Sequence, residues 1–173
     1  MSPDSRLLAR VGVSLLLVSF VNGFLIHALA LPRLALSAHL VGLLGAVFLI
    51  ALAALWPALT QTPRMSRVGA VLAVYGFGGG WLVYFVAAAA HAGGMSPMAS
   101  GQARGAPALE SIVGLGMLTI AIALGACCGI VLRAAREPAQ APRHWKTLVL
   151  MYFNPESTSS VATRAPGPKR RPT

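Results

Sequence analysis

Three observations predict an all-α integral membrane protein, a four-helix bundle with both termini in the cytoplasm. The 173-residue chain is 56% hydrophobic and only 10% charged, with mean hydropathy +0.71, whereas a soluble domain carries roughly 25% charged residues. Four runs, 11–30, 34–59, 68–90 and 111–132, meet the requirement of about 20 apolar residues for a spanning helix. They are continuous, without the period-2 alternation of a membrane barrel strand. Third, the basic residues fall on one side of these runs. The formal charge of +10 would suggest nucleic acid on a soluble protein. Here it brackets apolar runs, so the partner is the lipid bilayer and not nucleic acid.

The first run follows Arg6 and Arg10 and contains Asn22 and His27. Its Ala28-Leu29-Ala30 end resembles a signal-peptidase site, but the run exceeds the roughly 7–15 apolar residues of a signal core. The second run is the longest, so it tilts or lays its first turn at the interface. Arg64 and Arg67 separate the second and third runs, and Arg133, Arg136, Arg143 and Lys146 follow the fourth. Only Arg33 and Arg104 lie on the other side. The positive-inside rule then gives the cytoplasmic termini, in a bacterial-type inner membrane. Residues 1–135 form the membrane domain. Residues 136–153, with Trp145 and Tyr152, are too short and mixed to span and suit the inner leaflet. Residues 154–173 are Pro, Ser, Thr and Arg and read as a disordered basic tail.

The informative residues are those that cost energy in lipid. His39, in the second run, shares a helix face with Ala35, Gly42, Gly45 and Ala46. An imidazole over a strip without side chains has room for a flat group, and imidazole ligates haem iron. The same strip equally allows close helix approach, with His39 hydrogen-bonded across the interface. His27 and His91 fall at run ends, where snorkelling explains them. The scatter of these three histidines over separate runs argues against zinc. His144 is in the tail.

The third run places Tyr75, Trp81 and Tyr84 around Gly76, Gly78, Gly79 and Gly80. Polar-tipped aromatics beside a void suit an aromatic substrate, and also an interfacial belt. Gly76/Gly80 and Gly125/Gly129 are small-xxx-small pairs of the kind that pack helices tightly. Glu110 opens the fourth run, where the helix dipole favours a carboxylate. Asn22 needs a partner on another helix. Cys127 and Cys128 read as packing residues. No hydrolase triad, CxxC pair, phosphate loop or HExxH motif is present.

The segment Pro32-Arg33-Leu34-Ala35-Leu36-Ser37-Ala38-His39-Leu40, with Gly42 and Phe48-Leu49-Ile50-Ala51-Leu52, resembles the hydroxylaminobenzene mutases. Tyr75-Gly76, Trp81, Pro97-Met98-Ala99 and Ala108-Leu109-Glu110 extend the resemblance over roughly 8–135. That family is similar in turn to styrene oxide isomerase. The resemblance implies a homotrimer with haem b between subunits and His39 as axial ligand, flanked by Gly42 and Gly45. It implies an isomerase moving an oxygen substituent within a small apolar aromatic substrate, an aryl hydroxylamine or aryl epoxide, by Lewis-acid catalysis. Glu110, Tyr75 and Tyr84 are then the catalytic candidates, with Trp81 and Gly80 in the substrate pocket. Three positions depart from the family pattern: Val41 replaces Glu, and Gly45 and Gly80 replace Asn. Those losses favour the alternative of a non-catalytic haem-binding or scaffold protein. An Asn restored at 45 raises activity only if its side chain fits.

Overall fold

The computed structural model describes residues 2–59 and 62–136; the inner-leaflet segment and the tail lie outside the described residues. The fold is all-helical: α1 (Pro3–Leu25), α2 (Pro32–Leu55), α3 (Pro63–Ala89), the short α4 (Pro97–Ser100) and α5 (Pro107–Arg136). Four of these helices, all except α4, are long and apolar enough to cross a membrane, and the chain is an integral membrane protein.

Each helix opens on proline. The ring lacks an N–H, but the first N–H of a helix has no intrahelical acceptor anyway, and proline's fixed φ suits the first turn. Pro32, Pro63 and Pro107 therefore start helices and do not merely mark loops. They bring each start forward of the apolar run, by two, five and four residues. At α1 the start moves to Pro3 because Ser2 Oγ caps it, accepting from Ser5 N at 3.1 Å. Thr62 caps α3 in the same way. The first run ends early: α1 stops at Leu25, and Ile26–Ala28 form a single 3₁₀ turn.

Neighbouring spans are antiparallel, and their glycines record the register. Gly12 of α1 lies against Ala46 and Leu49 of α2, and Gly23 lies against His39. Gly45 of α2 meets Phe77 of α3, and Gly76 of α3 meets Leu124 of α5. The buried core is largely alanine, including Ala35, Ala38, Ala46, Ala70, Ala73 and Ala88. Lipid tails are as apolar as leucine, so close backbone approach supplies the packing energy here. α1, α2 and α3 pack on one another, whereas among the described helices α5 packs chiefly on α3, its Val113 joining a cluster with Leu34 of α2. The bundle is thus three helices with a fourth on its flank. α5 turns Val113, Ile120, Ala123 and Cys127 inward. A Cβ on Gly125 or Gly129 would meet nothing within 4 Å among the described residues, so this pair packs against no described helix as its spacing suggested. Gly76 does.

At the arginine-bearing end a polar network joins the three-helix core. Trp56 Nε1 donates to Ser66 Oγ at 3.0 Å, and Ser66 donates to the buried Asp4 carboxylate. Arg67 pairs with Asp4 at 3.8 Å, and Ser5 Oγ donates to Ala53 O at 2.8 Å. That end also carries Arg6, Arg10, Arg64, Arg133 and Arg136. Reporter fusions at Arg67 should therefore read cytoplasmic and one at Gly101 the opposite. A periplasmic signal at Arg67 inverts the topology and places His39 near the inner leaflet.

Candidate functional site

The site lies in the half of the bundle away from the arginine end. Ser19 and Asn22 share one face of α1, Ala35, His39 and Gly42 one face of α2, and Trp81 comes from α3. His39 Nδ1 lies 2.7 Å from Ser19 O. A carbonyl only accepts, so Nδ1 carries the proton, and a neutral ring leaves the lone pair on Nε2. Gly23 gives the ring its place: a Cβ there would stand 2.9 Å from His39 Cε1. The ring is half-buried on the α1–α2 seam. A backbone carbonyl fixing one ring nitrogen so that the other can coordinate is the usual outer support of a metal-binding histidine.

Inside this chain the glycine strip below His39 leaves no slot for a flat group, and the half-buried ring could meet one only from the outer side of the α1–α2 seam. A Cβ on Gly42 would overlap Ser19 Oγ and come within 2.6 Å of Trp81 Cδ1; one on Gly45 would stand 3.1 Å from Phe77 Cβ. Close helix approach, the second of the two sequence readings, is what these glycines serve. The room beside Gly42 and Gly45 is filled by α1 and α3. An Asn at 45 has to displace Phe77, which stacks on Phe48 at 5.5 Å. Gly80 is more open, with Val41 Cγ1 at 3.6 Å.

The three aromatics do not surround one void. Trp81 reaches the α2 seam and stacks on Phe85 at 5.4 Å. Tyr84 lines a narrow pocket with Leu34, Met95, Val113 and Met117, with room for about one water. Tyr75 is 47% exposed, and its hydroxyl is 2.7 Å from Thr119 Oγ1 on α5. Tyr84 lies nine positions after Tyr75. At 3.6 residues per turn that is about 180°, opposite faces of α3. Tyr75 therefore stands apart from the other two.

Glu110 is the clasp of the loop between α3 and α5. Its carboxylate accepts from Gly105 N at 2.8 Å and Gly94 N at 3.0 Å. Ser100 Oγ closes the same loop onto Gly93 O at 3.0 Å. The loop holds His91 at φ 56 and Gln102 at φ 68, backbone that L-residues adopt at a cost. His27 and His91 are exposed, and no group of three His, Cys, Asp or Glu side chains assembles among the described residues.

Ser19 is the site residue that sequence reasoning missed. Its hydroxyl has no distinctive spacing, and its carbonyl, which holds His39, belongs to every residue alike. Asp4 was missed for a related reason: an acid near a chain start looks solvated until its partners are known.

The family model described as styrene oxide isomerase matches residues 4–136. Hydroxylaminobenzene mutase HabB of Ectopseudomonas oleovorans is 33% identical over 137 residues, covering 79% of this chain and 84% of that protein. No solved structure matches. A match running from the first turn of α1 to the last residue of α5 spans every membrane helix, and the chain belongs to the styrene oxide isomerase family.

Proposed function

We propose that this protein is a membrane-embedded isomerase that moves an oxygen substituent within an aryl hydroxylamine or an aryl epoxide, with haem b on His39. The observation that carries the reading is the His39 geometry, Nδ1 committed to Ser19 O at 2.7 Å, which leaves Nε2 as the ring nitrogen free to coordinate. Membership of the family, and the mutase 33% identical to the chain, support the class of reaction. When bound, ferric haem supplies a Lewis acid for the substrate oxygen.

The chain's own residues do the rest. Ser19 O holds the imidazole in one tautomer and one orientation. Trp81, stacked on Phe85, offers an apolar wall to an arene arriving through the bilayer. Glu110 positions the loop that covers this half of the bundle by binding its two amides. Tyr84 stands below that loop at the narrow pocket, its phenol available for proton exchange. Three copies with haem between neighbouring subunits give the assembly that the resemblance implies, in a bacterial inner membrane with both termini inside.

Purified protein should convert phenylhydroxylamine to an aminophenol, or styrene oxide to the aldehyde, without added reductant, and dithionite should suppress the reaction. The second reading, a haem-binding protein without catalysis, has one observation in its favour: Gly45 and Gly80 carry no amide to aim an oxygen. Haem-loaded protein inactive on both substrates selects that second reading.

A further inference from the structure

At the end of the bundle opposite Asp4 and Arg67, α4 separates two cavities, each lined by one arginine. Arg33 lines the larger, of about 340 Å³, with Leu31 and Pro32 on one wall and Ala99, Ser100 and Gly101 on the other. Arg104 lines the smaller, of about 210 Å³, which is built from the segment 93–104 alone. Both arginines are exposed, and neither pairs with a carboxylate among the described residues. The two described acids are committed elsewhere. Asp4 holds Ser66 and Arg67 at the far end, and Glu110 holds the amides of Gly94 and Gly105.

The larger cavity lies at the level of the lipid headgroups. α2 and the turn after it, Pro32–Ala58, run 27 residues, about 40 Å at 1.5 Å per residue. A bilayer with its headgroups is roughly 40–45 Å thick, so the first turn of α2 sits among lipid phosphates. Beneath Arg33 the same helix face continues as Leu36, Leu40, Leu44 and Val47, all within about 60° of it around the axis. These four side chains are 45% to 60% exposed. His39 lies about 120° around the helix from Arg33 and turns toward Ser19 of α1, away from this face.

A cation above an exposed apolar track has the layout that complements a phospholipid, phosphate over acyl chain. The guanidinium fork binds two phosphate oxygens at once. With no free carboxylate beside Arg33 to receive an ammonium group, an anionic headgroup gains more there than a zwitterionic one. We propose that the Arg33 cavity and the α2 face beneath it bind one anionic phospholipid, its phosphate on Arg33 and an acyl chain along Leu36, Leu40 and Leu44. The Arg104 cavity carries the same charge within the loop, without a helix face beneath it, and is the natural control.

The experiment uses the full chain in phosphatidylcholine vesicles. Leu36→Trp supplies a local fluorophore, read as the difference from the unsubstituted protein, and the quenchers are acyl-brominated phosphatidylglycerol and acyl-brominated phosphatidylcholine. Phosphatidylglycerol should bind about fivefold more tightly at this position, the weight of one arginine against an anionic lipid. Arg33→Gln should bring the two quenchers level. Arg104→Gln, which removes the same charge from the same end, should leave the preference intact. Inorganic phosphate, compared with chloride at matched ionic strength, should displace none of the lipid. Leu40→Trp gives the same reading one turn deeper where Leu36→Trp does not fold. Equal quenching by the two lipids before either arginine is changed overturns the proposal. So does equal loss of the preference in both arginine variants, which makes it a property of the charge at that end. Displacement by phosphate reassigns the cavity to a soluble anion, and quenching by neither lipid means that protein covers this face; each rejects the lipid. None of these readouts uses turnover or haem, so the result is separate from the isomerase reading.

Discussion

On the proposed reading, wild-type protein should show a Soret band at about one b-type haem per chain, and His39→Ala protein should purify without it. The motive is specific to this ring. Nδ1–H donates to Ser19 O at 2.7 Å, and Gly23 makes the space in which the ring lies. His27 and His91 are exposed and outside this arrangement, so His27→Ala and His91→Ala should keep the band. A visible spectrum of the four preparations checks it. Full haem occupancy in His39→Ala removes the axial-ligand assignment and with it the proposed mechanism, while leaving the fold and the family intact.

Gly42→Val should be the most damaging single substitution in the spanning helices. A Cβ at that position overlaps Ser19 Oγ and stands 2.6 Å from Trp81 Cδ1, and both neighbours belong to other helices. Rotating the Ser19 hydroxyl leaves Trp81 Cδ1 and, at 3.1 Å, Ser19 Cβ in the way, so the Trp81 ring and the α1–α2 spacing have to give. Overpacking typically costs about 1–3 kcal/mol, and this site, pinned from two sides, should reach the top of that range. Thermal unfolding in detergent and the yield of folded protein read it out. Gly80→Ala is the matched control. Its Cβ would meet Val41 at 3.6 Å, an ordinary contact, and replacing a mid-helix glycine favours the helix by about 1 kcal/mol. The two variants should move Tm in opposite directions. A Gly42→Val protein as stable as the wild type would mean that the α1–α2–α3 seam is looser than the structure shows.

These expectations use contacts that the chain order does not print. The four spans were legible because hydropathy in a bilayer is a one-dimensional property: about 20 consecutive apolar residues suffice whatever packs beside them. The residues carrying the family resemblance were legible too, since Ser37-Ala38-His39-Leu40 reads directly off the chain. Helix starts at Pro32, Pro63 and Pro107 were legible in principle. The prolines were visible, and their preference for the first helical position was the signal to use. The opposition of Tyr75 and Tyr84 was available from arithmetic on the helical repeat.

What the linear chain by itself determined is the class of the protein: all-helical, membrane-spanning, with a histidine set over glycines. Only the tertiary structure decided what those glycines do. Gly42 and Gly45 face filled space and Gly125 and Gly129 face none, although both pairs read alike as small residues. Gly76 packs against α5 because α3 is the described helix on which α5 chiefly packs. The same holds for His39, whose proton is placed by a carbonyl twenty positions away. Hydropathy and helical period are sums over a single strand of chain, so they survive in the sequence. A void and a shared proton are relations between helices, and they come into being only when α1, α2 and α3 take their register.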